Sequence, residues 1–181
     1  DQPFVYYACG ESVEKIAKLP QVERILDKGY EILYCTEDVD DFLMKALGEV
    51  DGKKFKSVND EDALPQSEEE KKANQEKAEE SKSVLEAVKA ALGEQVKEVR
   101  LSAILKSAAC CLTADGPISL EMEKYLRKIE GDEEGMMAQR VLELNADSAP
   151  YAAVKKALEE GDREKVAKYS KLLYGQALLM A

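Results

Sequence analysis

The stretch from Ser67 to Gly93 constrains the fold of this chain most, because its pattern predicts one long helix between two smaller folding units. Ser67 is a favourable N-cap, and Glu70 follows at the spacing of a capping box. Gly93 is a typical helix stop. Ion pairs one turn apart, such as Glu68 with Lys71, contribute about 0.2 to 0.5 kcal/mol each.

The two halves of this predicted helix differ in polarity. The first turns have almost no apolar face, whereas an apolar stripe follows at Val84, Leu85, Val88, Ala91 and Leu92. We therefore expect the front half to stand in water and the back half to pack against a neighbour. Sustained apolar heptads are absent, so the pattern favours a solvated connector helix over a coiled coil.

Length and composition favour two small domains. The chain has 181 residues, 45% of them apolar, and a formal net charge of -11. This charge argues against a nucleic-acid surface, which needs clustered Lys and Arg. No apolar run is long enough to span a bilayer, and no signal peptide pattern opens the chain. We expect a cytoplasmic protein with no nucleic-acid or membrane partner, and we interpret the chain as part of a longer protein.

The residue types that are absent exclude several kinds of chemistry. The sequence contains no histidine, which removes Ser–His and Cys–His catalysis and imidazole zinc sites. We predict no catalytic residue and no metal site. The cysteines lack C-x-x-C spacing and are expected to be buried thiols. A thiol redox enzyme or sensor using Cys110 and Cys111 is the alternative function, although a disulfide between adjacent cysteines is strained.

The first 64 residues read as a small parallel α/β layer with the order β, α, α, β, α, β. Its strands are predicted at 4–8, 30–35 and 54–58. The turn at Gly10 that leads into the first helix has the ordinary strand-to-helix form, and one glycine is too weak a signal for an anion site. A polar hinge at 59–66 connects this layer to the long helix.

After Gly93 the pattern predicts a three-stranded sheet and three helices. The strands are expected at 96–101, 108–113 and 140–145, with an acidic loop at 131–135. The overall fold class is therefore mixed, α+β with an α/β unit: a small α/β layer, a long connector helix, and a domain with a three-stranded sheet and a helical hairpin.

An amphipathic helix is predicted to open at Gly116-Pro117 and to continue through Ile129. Apolar residues recur on it at three- and four-residue spacing opposite charged ones. This face either fills the core or is presented to other proteins. Its residues are Ile118, Met122, Tyr125, Leu126 and Ile129.

The last two predicted helices carry more apolar surface than one domain can cover. The residues 147–150 cap the first of them, and Asp162 caps the second. The surplus favours association over core filling, most simply as a homodimer with a two-fold four-helix bundle. The predicted interface residues are Tyr151, Val154, Leu158, Val166, Tyr169, Leu172, Leu173 and Leu178.

Many ordered segments of the chain resemble the heat-shock protein 90 chaperones, most closely their bacterial form. The resemblance covers nearly the whole chain and depends on the order of the segments rather than on one motif. The segments are Tyr6-Tyr7 with Gly10-Glu11-Ser12, KGYEILY, TEDVDDF, DGKKF, the EEEKK connector, SAACCLT, MEKYLRKI, VLELN and LLYGQALL.

The resemblance implies that residues 1–64 end a chaperone middle domain and that residues 65–181 form a C-terminal dimerisation domain. It also implies unfolded or partly folded client proteins as partners, contacted by Ile118, Met122 and Leu126. The ATP and Mg²⁺ of the family would bind elsewhere in the whole protein, together with the arginine that reaches the phosphates. We expect no cofactor and no ATPase activity in this chain.

Two departures from the family pattern bear on these expectations. Many eukaryotic relatives have Gly-Trp where this chain has Gly116-Pro117-Ile118, so a smaller aliphatic side chain replaces an aromatic one. The chain also ends before the family's last helix, which completes the dimer bundle. We expect weaker client contact at Ile118 and an altered dimer.

Overall fold

The computed structural model describes residues 2–60, 62–130 and 136–181. Within them lie seven α-helices and two small sheets, which confirms the mixed α+β class. The elements follow in the order β1 (Val5–Cys9), α1 (Val13–Ile16), α2 (Pro20–Asp27), β2 (Ile32–Cys35), α3 (Asp40–Leu47), β3 (Glu49–Val50), β4 (Lys53–Ser57), α4 (Glu68–Leu92), β5 (Glu98–Leu101), β6 (Cys110–Asp115), α5 (Leu120–Glu130), β7 (Gln139–Leu144), α6 (Ala149–Glu159) and α7 (Arg163–Met180).

The chain divides into two compact units. The first contains residues 1–64 and 114–139, and the second contains 65–113 and 140–181. In space, residues 114–139 therefore pack with the first unit, although the sequence-based division groups them with 65–181. The predicted acidic loop at 131–135 lies outside the described residues.

The first unit is built on a sheet with the strand order β2-β1-β4-β3. Its central strand β1 is parallel to both β2 and β4, as the predicted α/β layer requires. The short β3 was not predicted, because two residues are too few to show an alternating pattern. It pairs antiparallel with β4 through a turn in which Asp51 and Gly52 both have positive φ, the conformation of a tight hairpin.

The core of this unit lies between its sheet and its helices. Tyr6 is fully buried, donates its hydroxyl to the Ala63 carbonyl oxygen at 2.8 Å, and stacks on Tyr30. Gly10 has a packing role, since a Cβ there would lie 2.9 Å from Ile16 Cγ1. The turn at Gly10 therefore needs no bound anion to explain its glycine, and the α1 helix that follows has only four residues.

The long helix α4 has the predicted boundaries. The Ser67 side chain accepts from the Glu70 amide at 3.2 Å, and the Glu70 carboxylate accepts from the Ser67 amide at 2.8 Å. Gly93 ends the helix with a positive φ. The buried positions are Ser81, Val84, Val88 and Leu92, while the preceding turns are exposed. The expectation of a solvated front half and a packed back half is confirmed.

The second sheet has the strand order β5-β7-β6, and β5 pairs in parallel with β7. All three strands lie within about two residues of their predicted positions. Helix α4 packs on β5 and on the α6–α7 hairpin. The unit's core includes Val88, Val141, Leu142, Leu144 and Val154, each of which is fully buried.

One predicted boundary was wrong. Helix α5 begins at Leu120 and not at Gly116-Pro117. Gly116 has a φ of 97°, which is incompatible with helix. Ser119 acts as the N-cap, because its side chain accepts from the Met122 amide at 3.0 Å. Ile118 therefore precedes the helix and does not belong to its face.

Candidate functional site

Helix α5 lies along helix α3 within the first unit, and polar contacts mark the two ends of α5. At the start of α5, the Ser119 hydroxyl donates to Asp41 Oδ2. At its end, Lys128 Nζ donates to both carboxylate oxygens of Asp38 at 2.7 and 2.8 Å. The Asp38 carboxylate raises the pKa of Lys128 through this hydrogen bond and its charge. Both side chains of this ion pair are more than half exposed.

Between these two ends the contacts are apolar or mixed. The rings of Phe42 and Tyr125 meet edge to face with centroids 5.6 Å apart, a favourable aromatic geometry. One turn earlier on α5, Met122 Sδ lies 3.7 Å from Lys45 Nζ. The contacting residues of α5 thus recur every three positions, which is one ridge of a helix surface.

The five residues of the predicted client-binding face are placed differently. Met122 is only 5% exposed, whereas Ile129 is 62% exposed. The remaining three are half-buried: Ile118, Tyr125 and Leu126.

Asp41 forms a buried polar cluster that the sequence analysis missed. Its Oδ1 accepts from the Tyr7 hydroxyl at 3.1 Å, and its Oδ2 lies 3.4 Å from Lys45 Nζ. Burial raises the pKa of Tyr7, and the nearby Asp41 carboxylate raises it further. No signal in the sequence indicates this cluster, because the helical spacing places Asp41 opposite the apolar residues of α3.

Glu123 on α5 is a second buried carboxylate. It is 3% exposed. It accepts from the Ala138 amide at 2.9 Å and pairs with Arg127 at 2.7 Å. Glu123 therefore fixes α5 to the segment that leads into β7. Its i, i+4 spacing to Arg127 predicts only an ion pair along the helix and not this contact with Ala138.

In the second unit, the predicted dimer residues fall into two groups. Four of them fill the core of their own unit, and the others line the outside of the hairpin. The buried group is Tyr151, Val154, Val166 and Leu173. Leu158 and Tyr169 are half-buried, and Leu172 and Leu178 are exposed.

The outward face of α7 carries an apolar stripe, which we define as Tyr169, Leu172 and Leu179. Leu172 is 62% exposed and Leu179 is 91% exposed. These two leucines lie seven residues apart, so they project from one side of the helix. Leu179 was not among the predicted interface residues, although its spacing from Leu172 signals it.

The sequence of this chain is similar to those of known proteins. The family model described as "Hsp90 protein" matches residues 1–181. The chain belongs to the Hsp90 protein family. It is 48% identical to "Chaperone protein HtpG" of Clostridium perfringens, 47% to that of Halalkalibacterium halodurans and 43% to that of Bacillus subtilis. Each match covers 99% of this chain and 28% of the relative.

The resemblance to Hsp90 chaperones inferred from the sequence is thereby confirmed. The chain spans about 28% of the length of these relatives.

The cysteines of this Hsp90 chain give no support to the redox alternative. All four are free thiols. Burial raises the pKa of Cys110 to about 11, and it raises that of Cys111 well above the ordinary value, with the Glu143 carboxylate adding to the rise. A reactive cysteine needs a lowered pKa, because the thiolate is the nucleophile.

Cys111 borders a buried ion pair that organises the second sheet. Glu143 on β7 pairs with Arg100 on β5 at 2.8 Å, accepts from Ser102 Oγ at 2.7 Å and from Thr113 Oγ1 at 3.2 Å. The carboxylate is therefore satisfied from neighbouring strands, as a buried charge requires. In the sequence, Glu143 is the one charged residue of the segment VLELN, and nothing there indicates its partners.

Two further properties concern the described residues alone. No group of three or more His, Cys, Asp or Glu side chains among them is placed to hold a metal ion. Likewise, none of the helices in the described part combines the length and apolarity needed to cross a membrane.

Proposed function

We propose that this chain is the part of an ATP-dependent Hsp90 chaperone that binds non-native client proteins and holds two copies together. In this assignment residues 1–64 end the middle domain and residues 65–181 form the C-terminal dimerisation domain. The observation that carries the proposal is the apolar stripe on α7, since Leu172 and Leu179 are exposed at 62% and 91%. An exposed apolar stripe rimmed by polar residues is typical of a protein interface.

The proposed dimer uses the outer face of the hairpin. Tyr169, Leu172 and Leu179 would meet the same stripe of a second copy across a two-fold axis, because an isologous contact buries identical surfaces. Leu158 and Leu178 would lie at its margin. The buried group of predicted interface residues, Tyr151, Val154, Val166 and Leu173, would support this face from below.

Sedimentation equilibrium tests the dimer. The double variant Leu172→Asp, Leu179→Asp should shift the chain toward monomer by at least tenfold in dissociation constant, because it places charges in an apolar contact. Lys171→Asp is the matched control, since Lys171 is exposed on the same helix but outside the stripe. An unchanged dissociation constant in the double variant would sink the interface. Circular dichroism verifies that both variants keep their helix content.

The proposed client surface is the apolar side of α5 with Ile118 before it. The half-buried Leu126 and the exposed Ile129 are directly available, and Met122 and Tyr125 extend the same surface. The mechanism is physical: apolar side chains lower the free energy of non-native segments by removing their apolar area from water. A dimer would hold two such surfaces at a high effective concentration.

Binding of carboxymethylated α-lactalbumin, which cannot refold, tests the client surface by fluorescence anisotropy. Leu126→Glu with Ile129→Glu should weaken binding about fivefold or more, because each substitution removes apolar contact area. Lys124→Glu serves as the control for added negative charge, since Lys124 is exposed on the same helix. Equal weakening by the control and the double variant would show that charge, not the apolar surface, governs binding.

In this proposal, the roles of ATP and Mg²⁺ belong to the whole protein and not to this chain. We propose that both bind outside this chain, and that this chain alone hydrolyses no ATP. An ATPase assay on the 181-residue chain tests this, and turnover above the no-enzyme blank would contradict it.

A further inference from the structure

The contacts between α5 and α3 form one continuous and ordered seam. From the start of α5 to its end, Ser119 meets Asp41, Met122 meets Lys45, Tyr125 meets Phe42 and Lys128 meets Asp38. From Met122 to Lys128, numbers rise on α5 as they fall on α3, so the helices run antiparallel. A seam with this regularity is a specific docking contact, since Met122, Tyr125 and Lys128 recur at every third position of α5 and each has a defined partner.

This seam covers part of the same surface that the proposed function assigns to clients. Met122 is 5% exposed in the seam, whereas Ile129, beyond it, is 62% exposed. A client segment therefore cannot reach Met122, or the Tyr125 ring edge that meets Phe42, while α3 is in place. Two ligands that need one apolar surface compete for it.

We propose that α3 occupies the client surface as an internal competitor, and that release of α5 from α3 is required for full client binding. The inference rests on the proposed client-binding function. It also specifies the chemistry of a good client segment: α3 presents an aromatic ring at Phe42, the turn before α3 presents a carboxylate at Asp38, and a segment with that pattern replaces them best.

The buried part of the seam tolerates release. When Ser119 leaves, Asp41 keeps its hydrogen bond from Tyr7 at 3.1 Å and its ion pair with Lys45 at 3.4 Å. Breaking a contact to a buried carboxylate is usually costly because the charge loses its partner. Here the Asp41 carboxylate keeps two partners after Ser119 leaves. Release frees Met122 and Tyr125 from their contacts with Lys45 and Phe42.

The accessible part of the seam is the ion pair of Lys128 with Asp38. Its side chains are 59% and 54% exposed, so it can be altered without disturbing the core. Exposed ion pairs are weak and are screened by salt. Reversing one charge replaces a weak attraction by a repulsion. We expect this change to raise the fraction of molecules in which α5 is released from α3 by about fivefold.

The test compares Asp38→Lys with the swapped pair Asp38→Lys, Lys128→Asp. Hydrogen exchange of the backbone amides of 120–130, resolved by mass spectrometry, reports release. Anisotropy of labelled carboxymethylated α-lactalbumin reports binding. Asp38→Lys should speed exchange and tighten binding by the same factor, about fivefold, because one equilibrium governs both. The swapped pair should restore both values.

Glu37→Lys is the matched control, because it makes the same change in charge on an exposed residue adjacent to Asp38. It should leave both values near those of the original chain. If Asp38→Lys leaves the exchange of α5 unchanged, or if Glu37→Lys reproduces its effect, the seam is not the controlling contact and the inference fails.

A third result separates this inference from the function on which it rests. If exchange of α5 rises but the probe does not bind more tightly, α3 does not compete with clients. Leu126→Glu with Ile129→Glu is then added to the Asp38→Lys chain. Loss of probe binding shows that the client surface stands and only the competition is wrong, whereas unchanged binding overturns both.

Discussion

Helices α5 and α7 each carry an apolar face, but the two faces meet different surroundings. On α5, Met122 is covered by α3 of the same unit. On α7, Leu173 faces the core of the second unit, while Leu172 and Leu179 face away from it. The α5 helix has one apolar side that its own unit partly covers, and α7 has two apolar sides, one of which its own unit leaves open.

This difference indicates two kinds of interaction. An uncovered stripe is continuously available, which suits a lasting contact such as a dimer. A surface that its own unit partly covers is available only when the covering element moves, which suits a regulated contact. Substitutions on α7 and on α5 test whether the two helices differ in this way.

The largest effect is expected at α7. Leu173→Ala should destabilise the chain by about 3 kcal/mol, because it opens a cavity in a core where Leu173 is 4% exposed. Leu172→Ala removes the same atoms from the outer face and should cost below about 0.5 kcal/mol in the monomer. Urea unfolding at a concentration below the dimer dissociation constant measures both. Similar losses at the two positions would remove the distinction between the two sides of α7.

A smaller effect of the same kind is expected at α5. Met122→Ala should cost about 2 kcal/mol through loss of buried contact with α3. Ile129→Ala, at the exposed end, should cost below about 0.5 kcal/mol. Urea unfolding and exchange of the α5 amides report the two variants. If Met122→Ala is as neutral as Ile129→Ala, then α5 is not docked in solution.

The N-caps of two helices provide a finer comparison. Ser119→Ala should destabilise the first unit by about 2 kcal/mol, since Ser119 both caps α5 and donates to Asp41. Ser67→Ala removes only a solvent-exposed cap of α4 and should cost about 1 kcal/mol. Unfolding curves at neutral pH provide the comparison. Equal costs would indicate that the Ser119–Asp41 hydrogen bond adds nothing.

The smallest effect concerns the thiol beneath α7. Cys110 donates to the Leu173 carbonyl oxygen, and burial raises its pKa from 9.0 to about 11. The unfolded chain therefore releases this proton first, so the stabilisation is complete below about pH 9 and is lost as the pH rises toward 11. Unfolding at pH 8 and pH 10.5 should show a larger loss in the original chain than in Cys110→Ala. The same loss in both would show that Cys110 does not titrate in this range.

Local rules of the sequence were sufficient for most elements. The capping box at Ser67, the stop at Gly93 and the polarity change near Val84 predicted α4 and its two environments. The strands of both sheets followed from short apolar runs. The errors occurred where a local signal was short or ambiguous: β3 has only two residues, and Gly116-Pro117 resembles a helix start although the N-cap is Ser119.

The candidate site was predicted as a set of side chains but not as an arrangement. Periodicity placed Met122, Tyr125, Leu126 and Ile129 on α5, but it also included Ile118, which precedes the helix. It gave no information on Asp41, Glu123 or Glu143, because an acidic residue in an amphipathic helix or in a strand is usually solvated. Each of these carboxylates is buried only because partners distant in sequence, such as Tyr7, Ala138 and Arg100, supply hydrogen bonds.

The sequence by itself determined most of the secondary structure, the mixed class of the fold and, through its ordered segments, membership of the Hsp90 family. These depend on residues close together in the chain or on their order. Only the tertiary structure decided which side of each amphipathic helix is covered. Met122 and Leu172 are both apolar residues at helical spacing, yet one is sealed by α3 and the other faces outward, since burial depends on which distant element packs there. For the same reason, the helix from Ser67 to Gly93 could be read from its own residues, whereas the seam between α3 and α5 could not.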